Sequence, residues 1–104
     1  MGYERALPVI EGWLADPNQN VRRAATEGLR IWTSKPYLRD HPNLTVKLLS
    51  RLRDDESEYV RKSVGNALRD VSRKHKALIK AELLVWDTSK KGIAQTYKLA
   101  SKFL

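Results

Sequence analysis

The chain has 104 residues, 41% hydrophobic and 31% charged, a balance that suits one folded domain with a modest core and excludes a disordered chain. Lysine and arginine outnumber the acids 20 to 12, for a formal charge of +8, which favours a polyanionic partner, nucleic acid before an anionic membrane surface. Cysteine is absent, which excludes disulfide and thiol chemistry and suits an intracellular, cytoplasmic compartment.

The opening MGYERALPVIEGWLAD sets charges on both sides of short apolar runs, with no signal-peptide core and no membrane-spanning run. It predicts a first helix over about residues 4–15, with Pro8 requiring a late start or a bend. A second helix is predicted over 19–33, then SKPYLRDHP as a loop with two prolines, then a third helix over 43–53. Ser57 is placed to cap a fourth helix, with Glu58 near its positive end, and that helix runs to about His75. A fifth is predicted over 76–86. After DTSKKG a sixth runs to the end, where YKLASKFL weakly echoes the even-numbered helices. No strand alternation, glycine-rich phosphate loop or metal-spaced cluster is present, and His41 and His75 stand apart from each other. The fold class is all-α.

Sliding the chain by 39 pairs Asp16 with Asp55, Val21 with Val60, Arg22 with Arg61, Arg23 with Lys62, Leu29 with Leu68 and Arg30 with Arg69. A period near ~40 built of helices is the signature of HEAT or armadillo-type repeats. The expected layout is one domain over 1–104, with a repeat at about 4–33, another at about 43–75 and a partial third at about 76–104. That makes about three antiparallel helix pairs in a solenoid.

On helical wheels Val60, Val64, Ala67, Leu68 and Val71 share a core face, and Lys62, Asn66, Arg69 and Arg73 share the opposite one. In the second helix Val21, Ala25, Gly28, Leu29 and Trp32 make the core face, and Arg23, Glu27 and Arg30 the outer stripe. Stacked repeats merge such stripes into one basic surface. Glu27 and Asp70 interrupt it, although a phosphate-binding surface loses from every carboxylate. Surface ion pairs are one explanation, Glu27 with Arg23 or Arg30 and Asp70 with Arg73 or Lys74, each worth a few tenths of a kcal/mol. Trp13, Trp32 and Trp86 read as core or inter-repeat packing. Tyr59 projects near Lys62 and Asn66, where it could stack on a base or sugar.

The phrases VRRAATEGLRIW and LLSRLRDDESEYVRKSVGNALRDVSRKH resemble the HEAT-like repeat DNA alkylation repair enzymes, the alkylpurine DNA glycosylases of AlkC and AlkD type. The resemblance covers about residues 13–86. It implies an α-helical solenoid whose concave face binds duplex DNA and excises purines alkylated at N3 or N7. The glutamate of the EG phrase and the aspartate closing N.L.D face the lesion cleft in such relatives, which places Glu27 and Asp70 as catalytic candidates. The resemblance then makes Arg23, Arg30, Tyr59, Lys62, Asn66, Arg69 and Arg73 the DNA-binding candidates. No metal, cofactor or lysine nucleophile is implied, because an alkylated purine already carries positive charge and leaves as a neutral base. What remains is to stabilise an oxocarbenium-like sugar and to place a water, which a preorganised carboxylate can do.

Two departures stand out. The family's catalytic domains are longer, with further helices closing the cleft, so a fragment, a reduced member and a self-associating subunit remain open. Arg69 precedes Asp70 where related chains often carry asparagine. The rival from another class is a non-catalytic HEAT scaffold that binds nucleic acid or an acidic protein.

Overall fold

The computed structural model describes residues 3–32 and 41–104, with side chains described for 8–29 and 41–104. Among them are six helices and no strand: α1 (Tyr3–Leu14), α2 (Gln19–Trp32), α3 (Pro42–Ser50), α4 (Glu58–Ser72), α5 (Lys76–Leu84) and α6 (Lys91–Ala100). They form two layers. In the inner layer α4 lies between α2 and α6; in the outer layer α1 covers α2, while α3 and α5 cover α4. The smallest dimension of the molecule, 18 Å, is the thickness of two helices packed at the usual ~8–10 Å separation. The chain therefore has the HEAT-like all-helical architecture its period predicts.

The central helix α4 starts where its sequence provides a cap. The hydroxyl of Ser57 accepts from the amide of Val60 at 3.4 Å and donates to Gln19 Oε1 at 2.6 Å, so one side chain both caps α4 and ties it to α2. Glu58 occupies the first turn, where its charge complements the helix dipole. Val60, Val64, Ala67, Leu68 and Val71 are all buried, as the wheel requires. Ser63, Gly65 and Ser72 are buried as well, because α4 has neighbours on both flanks within its own layer.

The fourth helix ends at Ser72 rather than about His75 and the sixth at Ala100 rather than at the chain end; three further boundaries differ for a local reason. α1 begins at Tyr3 and carries Pro8 inside it, so the helix continues past a residue that donates no backbone bond. α3 ends at Ser50 because the chain tightens there: the amides of Leu52 and Arg53 bond back three residues to Leu49 and Ser50. α5 ends at Leu84 in the same way, and the tightened turn drops Trp86 into the core. There the indole N–H donates to Ser50 Oγ at 3.1 Å and Glu82 Oε2 at 3.0 Å, which satisfies the polar edge of a buried ring. Trp13 departs more sharply. It is 44% exposed rather than packed. The side chain of Trp32 and residues 33–40, most of the predicted proline loop, lie outside the described residues.

The inner helices are joined by arginines at equivalent places. Arg22 Nη1 donates to the carbonyl of Asp16, six residues earlier, at 2.7 Å, and Arg61 Nη1 donates to the carbonyl of Asp55, also six earlier, at 2.6 Å. Each arginine then reaches forward. Arg22 holds the carboxylate of Asp55, and Arg61 Nη2 donates to Gln95 Oε1 of α6 at 2.8 Å. The residues matched by the 39-residue offset thus perform one structural task at successive joints.

Candidate nucleic-acid interface

The candidate residues with described side chains lie on α2 and along or just past the end of α4, and their contacts show how they are held. On α2 the Arg23 guanidinium lies 3.7 Å from Glu27 Oε1, one helical turn away. Its planar head also stacks 4.5 Å from the ring centroid of Tyr59 on α4. Arg23 therefore bridges the two helices, with an acid on one side and an aromatic face on the other. Tyr59 is half exposed, and a base stacking on the face that Arg23 covers has to displace the guanidinium or extend the stack over it. The Arg30 side chain lies outside the described residues.

Along α4 the stripe changes character from one end to the other. Lys62 is well exposed and sits 3.4 Å from Glu58 Oε1. A cleft of about 250 Å³ opens beside it, lined by Glu58, Arg61, Lys62, Gln95, Lys98 and Leu99, which adds the cation of Lys98 to the same surface. Asn66 is half-buried one turn on. Arg69, expected to be a solvated member of the stripe, has a side chain only 22% exposed. It lies 3.8 Å from Asp70 Oδ1 and 5.8 Å from the centroid of Phe103, and its Nε is buried with no hydrogen-bond partner among the described residues. Arg73 is exposed and approaches the same phenyl ring at 5.0 Å. The last residues of the chain thus pack an aromatic ring against the basic end of α4.

The two acids sit in comparable surroundings. Glu27 and Asp70 are each about one-third exposed, each with an arginine within ion-pair distance. At that exposure each carboxylate is within reach of a bound ligand as well as of its arginine. Among the described residues no group of three or more histidine, cysteine, aspartate or glutamate side chains is placed to hold a metal ion. No described helix is long and apolar enough to cross a membrane.

The family model for the DNA alkylation repair enzyme matches residues 1–92. The chain belongs to the DNA alkylation repair enzyme family. It is similar to AlkD2 from Streptococcus mutans, with 56% sequence identity and a TM-score of 0.94 over 99% of this chain and 50% of that one. It is also similar to the alkylpurine DNA glycosylase AlkC of Pseudomonas fluorescens, solved bound to DNA containing an abasic site analog. There the identity is 30% and the TM-score 0.83, over 97% of this chain and 29% of that one. The curated relative YhaZ of Bacillus subtilis, an uncharacterized protein, is 38% identical over 90 residues, 83% of this chain and 25% of the relative. The chain spans half of AlkD2 and smaller shares of the other two, and is a module of this DNA repair family.

Within that family module, three residues near the stripe escaped the sequence reading. Lys98 and Arg61 border the cleft beside Lys62, and Phe103 covers part of Arg69. Nothing in a single helical wheel assigns them, since α6 and the chain end reach the stripe only through packing on α4. Arg61 carried a signal in its match to Arg22.

Proposed function

We propose that this module binds duplex DNA across the outward side of α2, α4 and α6, and that it forms part of a glycosylase site excising N3- or N7-alkylated purines. Arg23, Arg30, Lys62, Arg69 and Arg73 hold phosphates on either side of the lesion. Tyr59 and Asn66 contact the nucleoside, while Glu27 and Asp70 face the sugar. The three helix pairs, about 4–33, 43–75 and 76–104, act as one domain, in the cytoplasm beside the nucleoid.

The chemistry asks little of the protein. The bond from C1′ to the cationic purine breaks, its electron pair leaves with the base as a neutral molecule, and the sugar becomes an oxocarbenium-like cation. A carboxylate stabilises that cation and orients a water that adds to C1′ and gives its proton to the carboxylate or to solvent. The observation that carries the reading is the pairing of two acids, each about one-third exposed, with arginines on α2 and α4, in a family member that resembles a DNA-bound alkylpurine glycosylase.

The test is release of 7-methylguanine or 3-methyladenine from alkylated duplex by a form with a complete cleft, comparing parent with Asp70→Asn and Glu27→Gln. The expected loss is on the order of 10²-fold or more, with DNA affinity unchanged or improved. Full excision by both variants would remove the catalytic assignment. A second reading is a non-catalytic scaffold that binds nucleic acid or an acidic protein. It is selected if duplex binds in a salt-sensitive way with no base released.

A further inference from the structure

Arg22 and Arg61 occupy equivalent places in the repeat and differ in what they meet. Arg22 reaches forward to a buried carboxylate, that of Asp55. Arg61 reaches forward to a neutral amide. Its Nη2 donates to Gln95 Oε1 at 2.8 Å, and its Nη1 donates to the uncharged carbonyl of Asp55 at 2.6 Å. Asp54 approaches on the Gly92 side, yet among the described residues no carboxylate comes within ion-pair distance of Arg61. The α2–α4 joint thus has its arginine charge matched by an acid. The α4–α6 joint holds a cation in place with two hydrogen bonds and leaves the charge unmatched.

That cation borders the cleft of about 250 Å³ between α4 and α6. Lys62 from α4 and Lys98 from α6 line it as well, both exposed. Gln95 is a third polar contributor, and with its Oε1 engaged by Arg61 its Nε2 group is left to donate. Leu99 and the hydrocarbon stems of the lysines supply apolar wall. Glu58 is the one acid among the lining residues, and its exposed contact with Lys62 at 3.4 Å is of a kind that is weak in water. Three cations and an amide donor against one acid suit an anion, and the apolar wall beside them suits a sugar. The joint lies inside the chain. A longer chain that continues the layer adds its next helix to α6 as α6 is added to α4, beyond the cleft rather than over it.

We propose that the α4–α6 cleft takes one sugar–phosphate unit of a DNA strand. Lys62 and Lys98 meet the phosphate, Gln95 donates to one of its oxygens, and Arg61 is the fixed charge behind them. The assignment rests on the duplex-binding reading and adds to it a contact from α6. It also gives a reason for the amide: a carboxylate at position 95 would complete the joint as Asp55 does, and would cancel the charge where the cleft opens.

The test is binding of an undamaged duplex, titrated at several salt concentrations, beside melting curves. Lys98→Ala and Gln95→Glu are each expected to weaken binding alike on unrelated sequences. Each is expected to lower the slope of log affinity against log salt by about one. Gln95→Glu is expected to melt no lower than the parent, because it gives Arg61 the kind of partner that Arg22 has. Lys80→Ala, which removes an exposed cation from α5 in the outer layer, is expected to leave the slope unchanged. If neither cleft variant changes the parent's slope, the cleft takes no phosphate, and duplex binding stands without it. A drop in only one of the two also overturns the site, since an exposed lysine or an added acid can act alone. So does an equal drop for Lys80→Ala, which means that net charge rather than place sets the slope. A parent that binds no duplex removes both this site and the reading it rests on.

Discussion

Arg22 on α2 grips Asp55 with two guanidinium nitrogens, Nε at 2.8 Å and Nη2 at 3.0 Å, although the residues lie 33 apart in the chain. Both side chains are buried, and Nη1 is taken up by the carbonyls of Asp16 and Pro17. A paired fork of this kind has its charge and hydrogen-bonding capacity matched. The hydrogen bond to Asp55 holds the Arg22 pKa above its ordinary value, against the opposing effect of burial.

Removing the arginine leaves Asp55 as a buried charge without its main partner. Arg22→Ala is expected to cost about 3–5 kcal/mol, read as a lower urea midpoint. Arg22→Lys recovers only part of it, because an ammonium cannot serve the carboxylate with two parallel donors and reach both carbonyls. A raised arginine pKa contributes stability that is complete below the unfolded value and lost only as pH rises through the folded one. Arg22's own contribution is therefore flat across the neutral range.

Gly65→Ala sets two effects of opposite sign against each other. In an isolated helix the change stabilises by about 1 kcal/mol. Here the new Cβ would stand 2.7 Å from Leu99 Cβ and 3.1 Å from the Thr96 carbonyl, so α6 has to shift, at a cost of about 1–3 kcal/mol. Net destabilisation is expected, and a thermal midpoint above the parent's would show that the close approach is of no consequence.

Lys62 and Arg69 are expected to behave differently despite sharing a stripe. Lys62→Ala removes an exposed cation, leaving stability within about 0.5 kcal/mol and lowering the salt slope of duplex binding by about one. Arg69→Ala also strips packing from Phe103, so a thermal midpoint drop should accompany any loss of DNA affinity. Titrations of both variants at several salt concentrations, beside their melting curves, check the difference.

Asp87 offers a pH-linked check on the turn before α6. The Ser89 hydroxyl donates to Asp87 Oδ1 at 2.5 Å and the Ser89 amide at 3.1 Å, which holds the carboxyl below its ordinary range. A depressed value means the turn is supported above the unfolded pKa and loses that support as pH falls through the folded one. Ser89→Ala, which removes the hydroxyl donor, is expected to move the Asp87 titration upward by NMR. An unmoved titration would mean the amide alone sets it.

Periodicity in the chain carried the helices and much of the packing. Ser57 and the apolar face of α4 were legible because capping and a 3.6-residue period are local properties. Trp86 was legible as packing, though not the Ser50 and Glu82 oxygens that receive its N–H. Trp13 was misread because a wheel shows which face is apolar and says nothing about whether a neighbour covers it. Arg22 stood out as a match to Arg61, while its grip on Asp55 crosses a joint that no local pattern encodes. Arg69 failed for the same reason, since the ring that covers it comes from the far end of the chain. For Glu27 and Asp70 the sequence drew attention to the residues, and the resemblance supplied a reason for them.

Gly65 on α4 has Thr26 as its counterpart 39 residues earlier on α2. Thr26 is fully buried, with its hydroxyl donating to the carbonyl of Arg22 at 3.0 Å. A helix resting on threonine stands off by a side chain, whereas one resting on glycine comes in almost to the backbone. At Gly65 the α4–α6 joint therefore has no side chain of its own that could yield, and any group added there has to move Leu99 or the backbone at Thr96.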